Sequence, residues 1–96
     1  MFEIRKSAEF AAWLDALRDV RGRARVQARI ERLAVGNPGD VKPVGQGVSE
    51  LRIDCGPGYR VYFVRKARTV IVLLAGGDKT TQGADIRTAL RLARNL

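Results

Sequence analysis

Val48-Ser-Glu-Leu-Arg-Ile-Asp-Cys-Gly-Pro-Gly-Tyr-Arg-Val-Tyr-Phe-Val-Arg65 is the stretch that decides the fold. Side chains on a strand alternate between two faces, so Val48 to Asp54 reads as a strand with Leu51 and Ile53 inward and Glu50, Arg52 and Asp54 outward. Cys55-Gly-Pro-Gly58 then turns the chain into a second strand, Tyr59 to Arg65, and the pair predicts an antiparallel hairpin. Its register follows from burial. Val61 and Phe63 must share a face with Leu51 and Ile53, but a loop pairing Asp54 with Tyr59 sets Ile53 opposite Arg60 and mixes the faces. An odd loop, or a bulge at Gly56 or Gly58, keeps them together. With Gly58 opposite Asp54, Arg52 lies directly across from Arg60 and Glu50 across from Tyr62. Two like charges side by side on a sheet call for an anion between them or a carboxylate beside them.

Working outward, Phe2 to Arg5 alternates as a short strand, and Ser7 is placed to cap a helix with Phe10, Trp13, Leu14, Leu17 and Val20 on its core stripe. A break or bend is expected around Gly22, followed by a second helix ending near Val35, with Gly36 and Pro38 beyond it. On that helix Val26, Ile30, Leu33 and Ala34 share one arc, and Arg21, Arg25, Arg29 and Arg32 share the opposite one. Residues 36–47 read as a connecting loop. Beyond the hairpin, Lys66-Ala-Arg68 is a second turn and Thr69 to Ala75 is a continuous apolar strand of the kind covered on both faces. Gly76-Gly-Asp-Lys79 leads to Thr80 or Thr81 as N-cap of a last helix carrying Ile86, Ala89, Leu90, Ala93 and Leu96. The expected order is β-α-α-β-β-β-α, an α+β domain over residues 1–96 with helices packed on a mostly antiparallel sheet.

The chain has 96 residues, 18 Lys+Arg against 10 Asp+Glu, a net charge of +8 and no histidine. Without imidazole, Ser/His/Asp and Cys/His nucleophile activation and His-containing zinc sites are excluded. A single cysteine, Cys55, forms no disulfide within the chain and no thiolate cluster, so neither a metal nor a cofactor is expected and a reducing compartment is. No apolar run approaches the ~20 residues of a membrane span, and Met1-Phe-Glu-Ile-Arg-Lys lacks a signal-peptide layout. The expected location is cytoplasmic, with no membrane partner.

The cationic excess is folded surface rather than a tail, because residues 21–35 and residues 59–68 each carry +4. Arginine's rigid fork matches phosphate oxygens, so a polyanion partner is expected, with nucleic acid foremost. The candidate phosphate contacts are Arg21, Arg25, Arg29 and Arg32 on the helix, and Arg52, Arg60, Arg65 and Lys66 on the hairpin, with Tyr62 as a stacking residue. The competing readings are a solvated helix face for the first group and a structural network with Glu50 or Asp54 for Arg52 and Arg60. Gly76-Gly-Asp-Lys79 suggests a phosphate-cradling loop at a helix N-terminus, though without Walker A spacing, and plain capping competes with that reading. Trp13 and Phe10 read as core.

Glu50-Leu-Arg-Ile-Asp54, Gly56-Pro-Gly-Tyr-Arg-Val-Tyr-Phe63 and Gly76-Gly-Asp-Lys-Thr-Thr-Gln82 with Asp85-Ile86 together resemble the RelE/ParE toxin superfamily, and most closely its HigB-type addiction-module killer proteins. Gly36-Asn-Pro-Gly-Asp40 and Val41-Lys-Pro-Val-Gly45 fit the same pattern, so the resemblance spans nearly the whole chain. It implies a toxin of a type II toxin-antitoxin system that inhibits translation by ribosome-dependent mRNA cleavage. The implied partners are the ribosome and mRNA, a HigA-like helix-turn-helix antitoxin, and operator DNA only through that antitoxin. The implied catalytic positions fall on Arg52, Arg60 and Lys79; Asp78 or Asp85 is the candidate orienter or base that cleavage without histidine would need. Glu50 stands where RelE has a basic strand residue, and the region of Asp85 replaces a tyrosine. A ParE-like gyrase inhibitor and a non-catalytic nucleic-acid-binding module are the other two classes.

Overall fold

The computed structural model describes every residue from Met1 to Leu96. Its elements are β1 (Glu3–Lys6), α1 (Ala8–Ala16), α2 (Val20–Ala34), β2 (Val41–Gly45), β3 (Val48–Ile53), β4 (Tyr59–Ala67), β5 (Val70–Gly77) and α3 (Gln82–Arg94), with a 3-10 turn at Lys79–Thr81 before α3. The strands form one sheet in the order β1-β5-β4-β3-β2. Only the β1–β5 pair is parallel; the other three pairs are antiparallel. The α+β expectation holds, with one strand more than the sequence order predicts. β2 lies inside the segment read as a loop, because Lys42, Pro43 and the flanking glycines hide its alternation of Val41 and Val44. It is an edge strand, where a proline and an exposed lysine are tolerated and discourage further pairing.

Each face of the sheet carries its own core. Phe10 and Leu14 of α1 and Val26 and Leu33 of α2 cover Leu51, Ile53, Val61, Phe63, Ile71 and Leu73. On the other face Ala89 of α3 packs with Val48, Tyr62, Val72, Leu74 and Ala75. β5 is therefore buried on both sides, as its unbroken apolar run predicts. The face of β3 read as outward is covered by α3, and Glu50 is fully buried there.

Helix boundaries depart from expectation at two places. Ser7 caps α1 as predicted, accepting from the Phe10 N–H, but the helix stops at Ala16 and α2 restarts at Val20, two residues before the expected break at Gly22. Asp19 is the N-cap of α2, accepting from the Gly22 N–H at 3.0 Å, and Val20 is solvent-exposed rather than core. Gly22 is thus helical. A Cβ there would strike the Tyr59 ring, so glycine permits a close approach instead of breaking the helix. In α3, Leu92 packs against the core, while Leu96 lies past the helix end and is exposed.

The hairpin register is the one derived from burial. Arg52 pairs with Arg60, Glu50 with Tyr62 and Leu51 with Val61. Gly56 and Gly58 adopt positive φ, +55° and +81°, in the turn. β4 continues through Ala67, so the second turn is shorter than Lys66-Ala-Arg68.

Candidate phosphate-binding site

Cross-strand pairing brings Arg52 and Arg60 together on the α3 face, near the hairpin turn. Both present their Nε edges to one buried carboxylate. Arg52 Nε donates to Glu50 Oε1 at 2.9 Å, and Arg60 Nε lies 4.0 Å from the same oxygen. The other oxygen, Oε2, accepts from the Tyr62 hydroxyl at 2.9 Å and from Gln82 Nε2 at 2.7 Å. Burial pushes the Glu50 carboxyl up, but hydrogen bonds from Arg52, Tyr62 and Gln82 and the charge of Arg60 outweigh it and hold Glu50 below its ordinary value. It is therefore a carboxylate at neutral pH. The same burial and the same bond push the Tyr62 phenol up.

Arg60 is one of three arginines, with Arg23 and Arg29, whose buried Nε has no hydrogen-bond partner, and of the three it alone lines the cleft with Arg52 and Lys79. Its side chain is only 10% exposed. A buried donor without a hydrogen bond is costly, and at Arg60 the Glu50 carboxylate 4.0 Å away offsets the charge without closing the bond. Arg52 uses only its Nε within the protein.

Arg52, Arg60 and Lys79 line one cleft of about 530 Å³, with Asp40 and Asp54 among its walls and Gly58 at the turn. Lys79 reaches it because Gly58 has no side chain: a Cβ there would lie 3.1 Å from Lys79 Cγ and 3.2 Å from Cδ and Cε. The lysine stem thus lies along the hairpin turn. A second cleft of about 380 Å³, lined by Arg21, Arg25, Asp19 and Cys55, adjoins the first through Asp54 and Gly56, which line both. The N-terminal part of the α2 stripe therefore continues the hairpin's cationic surface.

The remaining sequence candidates part company. Tyr62 is fully buried beneath the arginine pair and offers no face for stacking. Arg29 is a tether: Nη1 donates to the Arg52 carbonyl at 2.6 Å and Nη2 to the Pro38 carbonyl at 2.7 Å, holding α2 to β3 and to the loop before β2. Arg32 stays exposed in the last turn of α2. Arg65 and Lys66 are exposed at the far end of β4, roughly 17 Å along the strand from Arg60 at ~3.3 Å per residue. Arg65 instead bonds the Arg68 carbonyl and lies 5.0 Å over the Phe2 ring.

Asp85 does not line the cleft. Its Oδ2 accepts from Thr81 Oγ1 at 2.5 Å, and it sits where a side chain on Gly77 would be. Nor is Gly76-Gly77 a phosphate cradle. Both glycines belong to β5; a Cβ on Gly76 would collide with the Trp13 indole, and one on Gly77 with the Asp85 carboxylate. In the 3-10 turn the Thr80 N–H already donates to the Asp78 carboxylate at 2.8 Å and the Thr81 N–H to the Asp78 carbonyl at 3.2 Å. Thr81 is N-cap of α3, without a side-chain hydrogen bond in that role.

Gln82, Asp40 and Asp19 are the residues that sequence reasoning did not place in the site, whereas the structural network expected between Glu50 and the arginine pair is present. Glu50 shares the parity of Arg52, which was legible; its burial depends on α3 crossing that face. Gln82 carries no local signal that it reaches β3.

Residues 12–96 match the family of phage-derived proteins described as Gp49-like (DUF891). The chain belongs to this family. Gp49-like proteins are a toxin-like family of RelE/HigB type, in accord with the α+β fold. A Haemophilus influenzae protein described as uncharacterized is 47% identical over 94 residues, covering 98% of this chain and 95% of its own. No solved structure gives a significant match. Within the Gp49-like frame, no helix here is long and apolar enough to cross a membrane.

Proposed function

We propose that this Gp49-like chain is the toxin of a type II toxin-antitoxin module and that it cleaves mRNA on the ribosome. The observation that carries the reading is the convergence of Arg52, Arg60 and Lys79 on one cleft, with the Nη donors of both arginines making no hydrogen bond within the protein. A phosphodiester supplies the acceptors that these cations lack. Arg52 and Arg60 grip the non-bridging oxygens and stabilise the charge that grows on them as the ribose 2′-oxygen attacks phosphorus. The bond from phosphorus to the 5′-oxygen breaks, leaving a 2′,3′-cyclic phosphate and a free 5′-hydroxyl. Lys79 gives the leaving oxygen its proton.

The base in this reading is a cleft carboxylate. Asp54 is exposed and makes no hydrogen bond or ion pair within the protein, whereas the Asp85 oxygen is taken by Thr81. Asp54 therefore takes the 2′-hydroxyl proton in preference to Asp85. Arg21, Arg25 and Arg32 hold flanking phosphates, and the ribosome supplies much of the in-line geometry. The antitoxin is a HigA-like helix-turn-helix protein whose acidic and apolar residues cover part of the cationic surface, and it alone carries the complex to operator DNA.

Purified protein added to a translating extract tests this directly. Cuts within codons that require ribosomes, and vanish in Arg60→Ala, are the expected result. Intact message alongside halted synthesis would overturn the nuclease reading, and inhibited supercoiling by gyrase would replace it with the ParE-like one.

A further inference from the structure

We propose that Glu50 is a positioning residue: it holds Arg52 and Arg60 by their Nε edges so that their Nη ends face the cleft together as one phosphate grip. Three elements converge on this side chain. It stands on β3, Tyr62 of β4 and Gln82 of α3 both donate to its Oε2, and its Oε1 is left for the two arginines. The two oxygens thus have separate duties, one anchoring the carboxylate and one orienting the guanidiniums.

Charge and geometry both favour this role over simple counter-ion duty. Two guanidiniums directly opposite on adjacent strands repel, and a carboxylate fully shielded from solvent offsets one charge at the point of closest approach. Arg52 is bonded through Nε and Arg60 turns its unbonded Nε toward the same oxygen at 4.0 Å; in each guanidinium one Nη–H lies beside Nε and three point away from it, and neither arginine spends an Nη on the protein. A carboxylate also repels a ligand phosphate from the Nε side, so the ligand meets the Nη–H donors that point away from Glu50. Orientation therefore comes from Glu50, while attraction comes from the arginines and Lys79. The inference deepens the proposed function and rests on it for the cleavage measurement alone.

The test uses the purified full chain, Glu50→Gln and, as a milder change at the anchoring oxygen, Tyr62→Phe. Three quantities are read: arginine side-chain Nε–H signals by NMR, affinity for a single-stranded RNA decamer with its salt dependence, and cleavage in a translating extract. Glu50→Gln retains the shape and removes the charge. Its decamer affinity is expected within about 3-fold of wild type, or tighter, because the cations remain. Its cleavage is expected to fall by about 10- to 100-fold, as misplaced catalytic groups do. The Arg52 Nε–H signal should lose its protection from exchange, and Tyr62→Phe should show the same split at smaller amplitude.

Parallel losses of decamer binding and cleavage would mean a purely structural role and overturn the proposal, as would unchanged cleavage with unchanged Nε–H signals. If Glu50→Gln does not fold, Tyr62→Phe and Gln82→Ala decide by the same criteria. If the wild-type chain cuts nothing, the proposed function fails separately. Positioning is then decided by the decamer's effect on the Nε–H signals of both arginines. A joint shift in wild type that Tyr62→Phe or Glu50→Gln uncouples supports it, and an identical response in all variants overturns it.

Discussion

Tyr59 donates its hydroxyl hydrogen to Asp19 Oδ2 at 2.7 Å, joining the first residue of β4 to the N-cap of α2. The bond it donates to Asp19, burial and the nearby negative charge push the Tyr59 phenol from 10.0 up to about 12. Tyr62 is pushed up as well, by burial and by Glu50, and the chain has no third tyrosine. The folded protein should therefore show no phenolate absorbance at pH 10, the first step appearing near pH 12. A tyrosine free in the unfolded chain ionises near ~10. Since the folded value is raised, this contribution to stability is complete below pH 10 and is lost as pH rises through about 12. Alkaline unfolding should be less steep in Tyr59→Phe, and a phenolate step near pH 10 in the native protein would contradict the bond.

At the acid end the same contact runs the other way. The Gly22 N–H and the Tyr59 hydroxyl hold Asp19 below the usual carboxylate value of 3.8, so its contribution is full above that value and disappears as pH falls beneath it. Asp19→Asn should lower the unfolding midpoint at neutral pH, and the gap from wild type should narrow below pH 4. A gap that is constant from neutral pH to strong acid would show that the charge plays no part.

The α2 stripe should split by function. Arg29→Ala strips partners from the Arg52 and Pro38 carbonyls and is expected to cost about 1–3 kcal/mol in denaturant unfolding. Arg25→Ala, on the exposed side of the same helix, should change stability by no more than about 0.5 kcal/mol while weakening RNA binding. Equal stability losses would mean that Arg29 is not a tether.

Within the cleft, Arg60→Ala should abolish cleavage and flatten the salt dependence of RNA binding by about 0.7 in log-log slope, the loss of roughly one phosphate contact on a single strand. Arg65→Ala, at the other end of β4, should leave cleavage unchanged. Loss of activity in both would point to a diffuse cationic surface instead of one phosphate grip.

Gly76→Ala tests the packing reading of the glycine pair. The added methyl group meets the Trp13 indole, which also contacts Phe10 and Tyr59 at ring-centroid separations of 5.8 and 6.2 Å. Overpacking of this kind costs about 1–3 kcal/mol, and tryptophan emission should shift with it. A variant as stable as wild type with unaltered emission would reopen the loop reading.

The sequence by itself determined what neighbours along the chain can encode. Period-two alternation and the requirement that Leu51, Ile53, Val61 and Phe63 share a face were enough to set Arg52 against Arg60, and helical stripes with caps at Ser7 and near Gly36 located three helices. Tertiary structure decided the rest. Glu50 is a buried anchor because α3 crosses its face, and Tyr62 is removed from solvent for the same reason. Arg29 and Arg25 stand one helical turn apart with the same charge, yet only Arg29 meets the carbonyls of β3 and its loop. Asp85 and Gly76-Gly77 change meaning once β5 places each glycine beneath a bulky side chain. Parity and periodicity are local, carried by residues within one or two turns of each other. Which cation tethers the fold and which lines the cleft depends on elements far apart in the chain, and that is settled only when the two cores close on opposite faces of the sheet.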